Sequence, residues 1–186
     1  MTDAGPAHND RAVTGARQDF ATAYREHLPW VLQAVRRLGV AAGEQEDVAH
    51  DVFSTAWRRI DAYTPDRPMR PWLFGIAFRI VSNRKAQRGA GAELVDTASL
   101  DARPGASHRP DEVLEGEVTR GHVLRALDAL PLEQRALFVG HDIEQTPINA
   151  LAEALEVPLN TAYSRLRLAR QKFQSTFAAL QSEGRP

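Results

Sequence analysis

The stretch 146–173, TPINALAEALEVPLNTAYSRLRLARQKF, constrains this chain more than any other. It reads as two short helices joined by a tight turn. Thr146 is placed to cap the first helix. Pro147 falls at the first helical position, where a missing N–H costs nothing. Ile148, Leu151, Ala152 and Leu155 share one helical stripe. Pro158 disfavours helical geometry in the residue before it, so the helix is interrupted over 156–158. Asn160 is placed to cap the second helix, whose buried stripe is Ala162, Leu166, Ala169 and Phe173. Asn160, Ser164, Arg167 and Gln171 lie opposite, with Tyr163 on the flank. Tight turns of this kind often use Gly, and Glu156 stands there instead. A left-handed Glu costs on the order of 1–2 kcal/mol.

This is the layout of a helix-turn-helix whose second helix enters a DNA major groove. The first half of that helix is rich in side chains that reach base edges or phosphates: Asn160, Thr161, Tyr163, Ser164, Arg165 and Arg167. Residues 159–172 hold Arg165, Arg167, Arg170 and Lys172 and no acid. The competing interpretation is an ordinary helical hairpin with a solvated polar face.

The rest of the chain follows the same helical period, with no strand-like alternation and no internal repeat. Residues 1–16 are small, polar and unpatterned, which predicts a disordered tail. From Arg17 an apolar face runs through Phe20, Ala23, Tyr24 and Leu28. Pro29 is expected to break or restart the helix, and Trp30, Val31, Ala34, Val35 and Leu38 continue the stripe to a stop at Gly39. The segment 44–63 is a strong amphipathic helix with Val48, Val52, Phe53, Ala56, Trp57 and Ile60 inward. Asp47, His50, Asp51 and Arg58 project elsewhere, with acids early and arginines late as the helix dipole favours. Pro71 opens another helix with Leu73, Ile76, Ala77 and Ile80 as core. Trp72, Phe74 and Phe78 interleave there with Arg79, Arg84, Lys85 and Arg88, a mixture suited to single-stranded nucleic acid. For Trp72 alone, burial in the core is the stronger expectation. Residues 89–111 have Gly, Pro and small side chains with an acidic bias and no period, the signature of a linker. A second helical module follows over 112–183, with Val118, Leu124, Leu127 and Leu130 on one helix and Leu137, Phe138 and Ile143 on the next. The fold expected is all-α: two small helical domains, 17–88 and 112–183, on a flexible linker, the second containing the helix-turn-helix.

Composition narrows the chemistry. With no cysteine among 186 residues, disulfides, thiol catalysis and thiolate metal sites are excluded. No window approaches the roughly 18 apolar residues of a membrane span, and the N-terminus lacks a signal peptide's apolar run, so a cytoplasmic protein with no membrane insertion is expected. The net charge is only −1. Non-specific DNA affinity grows with the number of phosphates neutralised, so a near-neutral chain must rely on local patches and on a partner for the rest.

Three strings, in this order, resemble the extracytoplasmic-function type of bacterial RNA polymerase sigma factor, across about Arg17 to Leu180. EQEDVAHDVFSTAW is similar to the family's polymerase-binding helix, RPWLFGIAFRI to the helix that reads and melts the −10 element, and ALPLEQRALFVGHDI followed by NTAYSRLRLAR to the domain that binds the −35 element. The resemblance implies two small helical domains, no catalytic activity and no cofactor. It implies core RNA polymerase, promoter DNA and an anti-sigma factor as partners, and a monomer when free. By position it assigns Asp47, His50, Asp51 and Arg58 to the polymerase surface. Trp72, Phe74, Arg79 and Asn83 fall to the −10 helix, with Arg84, Lys85 and Arg88 continuing its basic run. Asn160, Thr161, Tyr163, Ser164, Arg165, Arg167 and Arg170 fall to the −35 helix. The sequence departs from the pattern at Asn160, where Gly is usual, at Ala162 and Tyr163, where Val and Lys are frequent, and at Arg79, where Asn is common.

Two other functions compete. An autonomous helix-turn-helix regulator would dimerise on a two-fold operator, and no dimerisation heptad is evident. A metal-dependent His-Asp phosphohydrolase would use His50-Asp51 and His141-Asp142, but needs further converging ligands.

Overall fold

The computed structural model describes the chain over 7–64, 68–91 and 111–183, with side chains over 20–64, 68–89 and 118–182. Every regular element there is helical: α1 (Ala7–Arg37), α2 (Gln45–Arg58), α3 (Met69–Gly91), α4 (Asp111–Asp128), α5 (Leu132–Phe138), α6 (Ile148–Ala154) and α7 (Leu159–Glu183). Short 3-10 turns at Ala42–Glu44 and Ile60–Ala62 flank α2, and a π-helical turn, Val139–Ile143, continues α5.

The apolar stripes read from the sequence form the core. Val31, Ala34, Val35 and Leu38 of α1, Val48, Val52, Phe53 and Ala56 of α2, and Leu73, Phe74, Ile76 and Ala77 of α3 are all buried, and α1, α2 and α3 pack on one another. In the second half Leu127, Leu130, Leu137, Leu151, Ala162, Leu166 and Ala169 are buried where α4, α5, α6 and α7 meet. The two halves share one continuous apolar cluster. Val118, expected on the apolar face of α4, is exposed instead.

Several local expectations change. The first helix is continuous through Pro29 and begins at Ala7, ten residues before Arg17, where the apolar period starts. An interior proline costs about 3 kcal/mol, and the full burial of Val31, Ala34 and Val35 one turn later offsets it, at about 1.5–3 kcal/mol for a valine-sized side chain. Of the expected 1–16 tail, only 1–6 lies outside the described residues. The 89–111 linker likewise falls mostly outside them, but residues 89–91 complete α3 and Asp111 opens α4. The helix expected over 44–63 ends at Arg58 and tightens into a 3-10 turn.

Neither helix of the helix-turn-helix is capped as expected. Pro147 takes the N-cap position of α6, and Thr146 is buried with its N–H donating to the Gly140 carbonyl at 2.9 Å. Because α7 opens at Leu159, Asn160 lies inside its first turn. The physical reason is shared. Both helices follow a proline, whose fixed φ suits a helix entry, and Pro147, extended at ψ 137°, starts α6 without a side-chain cap. Glu156 does adopt the left-handed conformation, with φ +56°.

Gly39 shows why α1 stops where it does. Its φ is +92°, and a Cβ there would lie 2.1 Å from Nη1 of Arg135. Arg135 is buried, donates to Asp128 at 3.0 Å, and has its guanidinium pKa lowered by burial, against the opposing pull of Asp128. Gly39→Ala should therefore lower unfolding free energy by more than about 1 kcal/mol, the left-handed penalty alone. Denaturant titration checks this, and Arg135→Met in the same background should restore part of the loss by vacating the space.

Candidate nucleic-acid interface

Helical geometry decides which sequence-selected residues reach the surface. On α2, Asp47, Asp51 and Arg58 are spaced by four and seven residues, so they share a face, with His50 one turn from Asp47. Asp47, His50 and Arg58 are exposed and Asp51 is half-buried. The core lines the other side through Val48, Val52 and Ala56. Arg58 donates to Thr55 Oγ1 at 3.0 Å, and Arg84 of α3 meets Asp51 at 2.5 Å. A residue selected for nucleic acid is thus paired with one selected for a protein surface. Arg88 similarly pairs with Glu44, while Lys85 stands exposed beside them.

On α3 the spacings of seven and four put Trp72, Arg79 and Asn83 on one stripe. Phe74 lies on the far side, 1% exposed, with its ring 6.4 Å from that of Trp30. Its place in the sequence string is therefore a core position, and nothing can stack on it here. Trp72 is half-buried against Tyr63, ring centroids 5.0 Å apart, and burial pushes the Tyr63 phenol pKa up. Asn83 is exposed.

Arg79 does not face solvent alone. Its Nη2 donates to the backbone carbonyl of Ala154 at 3.3 Å and to Glu156 at 2.5 Å. Both acceptors belong to the end of α6 and the turn before α7. Sequence reasoning missed this contact, although Gly75 in the middle of a long helix was a signal. An ideal Cβ on Gly75 would sit 2.4 Å from the Ala154 oxygen. The two halves also meet where Glu144, with its side chain only 10% exposed, accepts from the Trp30 indole at 2.5 Å and pairs with Arg37.

On α7 the buried stripe Ala162, Leu166 and Ala169 faces α5 and α6. Asn160, Tyr163, Ser164, Arg167 and Arg170 are exposed, and Thr161 and Arg165 are half-exposed. Tyr163 is 54% exposed, on the rim of a shallow groove lined also by His141, Leu166, Arg167, Arg170 and Gln171. Ser164 donates to the Thr161 carbonyl at 3.0 Å, which fixes its hydroxyl to the helix. Arg170 is held by Asp142 through two bonds of 2.8 and 2.5 Å, and this pairing raises its pKa. The His50-Asp51 and His141-Asp142 dipeptides lie on separate halves. His141 Nδ1 approaches the Thr146 carbonyl at 2.9 Å, and among the described residues no three His, Asp or Glu gather as metal ligands do. No described helix is long and apolar enough to cross a membrane.

Comparison with known proteins bears on the same elements. The sigma-70 region 2 family matches residues 23–90 and the sigma-70 region 4 family residues 120–173. The RNA polymerase sigma factor NccH of Alcaligenes xylosoxydans xylosoxydans is 25% identical over 177 residues, covering 92% of this chain and 93% of its own. The ECF RNA polymerase sigma factor RpoE of Cereibacter sphaeroides is 28% identical over 176 residues, covering 88% and 90%. Among solved structures, CnrH in complex with the cytosolic domain of CnrY superposes with a TM-score of 0.64 at 25% identity, covering 91% of this chain and 94% of that one. The sigma factor RpoE of Bartonella quintana, in complex with the anti-sigma factor NepR, shares the fold with a TM-score of 0.71 at 20% identity, covering 87% and 98%. With region 2 built from α1–α3, region 4 from α4–α7, and relatives matched along nearly their whole length, the chain belongs to the sigma-70 family, among the extracytoplasmic-function RNA polymerase sigma factors.

Proposed function

We propose that this protein is an alternative sigma factor that binds core RNA polymerase with the α2 face, reads the −10 element with α3 and reads the −35 element with α7. The observation that carries this reading is the pairing of region 2 and region 4, in that order, with an exposed face on α7 that bears Tyr163, Arg167 and Arg170 around a groove. Its work is recognition and not catalysis, and it takes place in the cytoplasm, beside polymerase and promoter DNA. Since the RpoE of Bartonella quintana was crystallised with the anti-sigma factor NepR, a dedicated anti-sigma factor is the third partner proposed here. An autonomous regulator is not favoured. A chain of net charge −1 neutralises few phosphates alone, whereas two weak readers joined to one large enzyme gain from effective concentration.

Run-off transcription with purified core polymerase and genomic DNA tests the whole reading. Promoter-specific transcripts are expected only when this protein is added, and their absence at every bipartite promoter refutes it.

The α2 assignment is tested by Asp51→Arg. Like charge brought to a complementary interface costs several kcal/mol, so core-enzyme affinity should fall by more than about a hundredfold. Asp51 is off the buried stripe and its pair with Arg84 is part-exposed, so the melting temperature should move little.

The α7 assignment separates base contacts from phosphate contacts. Arg165→Ala should weaken transcription from all −35 sequences alike, because phosphate contacts position without specifying. Tyr163→Lys should change which −35 sequences are preferred. Selection from a promoter library randomised at −35 reads both outcomes.

Arg170 is a cation already neutralised by Asp142. Asp142→Asn should free it for phosphate and steepen the salt dependence of polymerase-bound promoter affinity by about one unit of log–log slope. An unchanged slope would remove Arg170 from the DNA interface.

A further inference from the structure

We propose that the turn of the helix-turn-helix is an intramolecular latch on the −10 helix, with Glu156 retained in a strained conformation because its carboxylate holds Arg79. The proposal rests on the assignment of α3 to the −10 element and adds regulation of that same surface.

Three features of the chain meet at this point. The first is the way α6 ends. The left-handed Glu156 closes the helix, with the Glu156 and Val157 N–H groups donating back to the Glu153 and Ala152 carbonyls, so the Ala154 carbonyl is passed over. The oxygen is left without a donor from its own helix, and Arg79 of the other half supplies one at 3.3 Å. A guanidinium at a helix C-terminus is also the favourable sign of charge. The second is Gly75. In the interior of a 23-residue helix a glycine is unfavourable by about 1 kcal/mol relative to alanine. Here any Cβ would press to 2.4 Å on the same carbonyl oxygen, a backbone atom that cannot swing aside. Gly75 is what allows α3 and the end of α6 to touch. The third is Glu156. Its φ of +56° is a conformation in which glycine carries no penalty. The side chain that replaces glycine is the one that reaches Arg79, at 2.5 Å.

In this state Arg79 Nη2 is taken by the turn, so the full fork is not free for a base or a phosphate, and α6 packs on the neighbouring part of α3. The face of α7 that bears Tyr163, Arg167 and Arg170 stays exposed. The ion pair is itself weak. The Arg79 side chain is 35% exposed and that of Glu156 is 73% exposed, so water screens it strongly. A weak pair suits a latch, because core polymerase needs only a modest difference in affinity between the closed and open states to release it.

The test uses the full-length protein. Since the chain has no cysteine, Gln87→Cys on α3 and Ala178→Cys on α7, both exposed, give a clean pair of labelling sites. The distance distribution between spin labels is measured in the otherwise wild-type chain, in Gly75→Ala, in Glu156→Gly and in Glu156→Gln. The wild-type chain should give one short population. Gly75→Ala should move most molecules to longer distances, while keeping or raising helix content. Glu156→Gly relieves the strained backbone and Glu156→Gln keeps it, so a longer-distance population in both assigns the effect to the lost charge. The same variants are then titrated into core polymerase, and half-maximal initiation should need roughly two- to fivefold less protein, the scale of an exposed ion pair. Distances unchanged in all three variants, or a greater protein requirement in the opened ones, would overturn the latch. If distances shift as expected but neither wild type nor variants support initiation, the latch stands and the sigma-factor assignment falls.

Discussion

The backbone oxygen of Ala154 lies at the junction between the halves of the molecule, and the left-handed turn that ends α6 leaves it without a donor from its own helix. Short helices leave most of their terminal carbonyls to find donors elsewhere, and α6 has only seven residues. The turn at Glu156 sends the next two N–H groups back to the Glu153 and Ala152 carbonyls. The carbonyl is met from outside by Arg79, and the approach is possible because Gly75 presents no side chain. The close approach of the end of α6 to α3 depends on this one meeting of a carbonyl, a guanidinium and a bare α-carbon.

Around that junction the polar contacts differ in how much water they see. The Arg79–Glu156 pair is largely exposed, while the Glu144 carboxylate is nearly covered and shared between the Trp30 indole and Arg37. A buried carboxylate left unpaired costs far more than an exposed one, so removing either donor is more damaging than removing Glu156. Arg135 follows the same rule, with burial lowering its pKa and Asp128 opposing that shift. The result is an interface with firm edges near α1 and a loose contact over the −10 helix.

Much of this was legible from the residues. The stripes Ile148, Leu151, Ala152 and Ala162, Leu166, Ala169 are buried as their spacing implies, because 3.6-residue periodicity maps directly onto one face of a helix. The Gly39 stop followed equally from local chemistry, whereas Glu156, whose place at the turn spoke against a helix-turn-helix, takes the left-handed conformation despite its cost. Pro29 was misleading because a local cost was overridden by the burial of the residues after it. Phe74 was misleading because a string match carries no phase: seven residues before Arg79 the stripe passes through Trp72, and Phe74 points the other way. The caps at Thr146 and Asn160 gave way to the prolines beside them. What no local pattern held was the encounter between halves. Trp30 and Glu144 are separated by 114 residues, and nothing near either one names the other.

The shared carboxylate of Glu144 also bears on how such chains can be recombined. Regions 2 and 4 look like interchangeable modules, since each has its own helices and its own reading surface. Yet Trp30 and Arg37 sit in one half and Glu144 in the other, just as Gly39 sits in one half and Arg135 in the other. A chimera that takes region 4 from a relative without the carboxylate would leave an indole and a guanidinium unmatched, and one that takes region 2 from a relative without the glycine would set Arg135 against a Cβ. Drift at these positions is therefore tied across the linker, and modules of this chain are exchangeable only as matched sets.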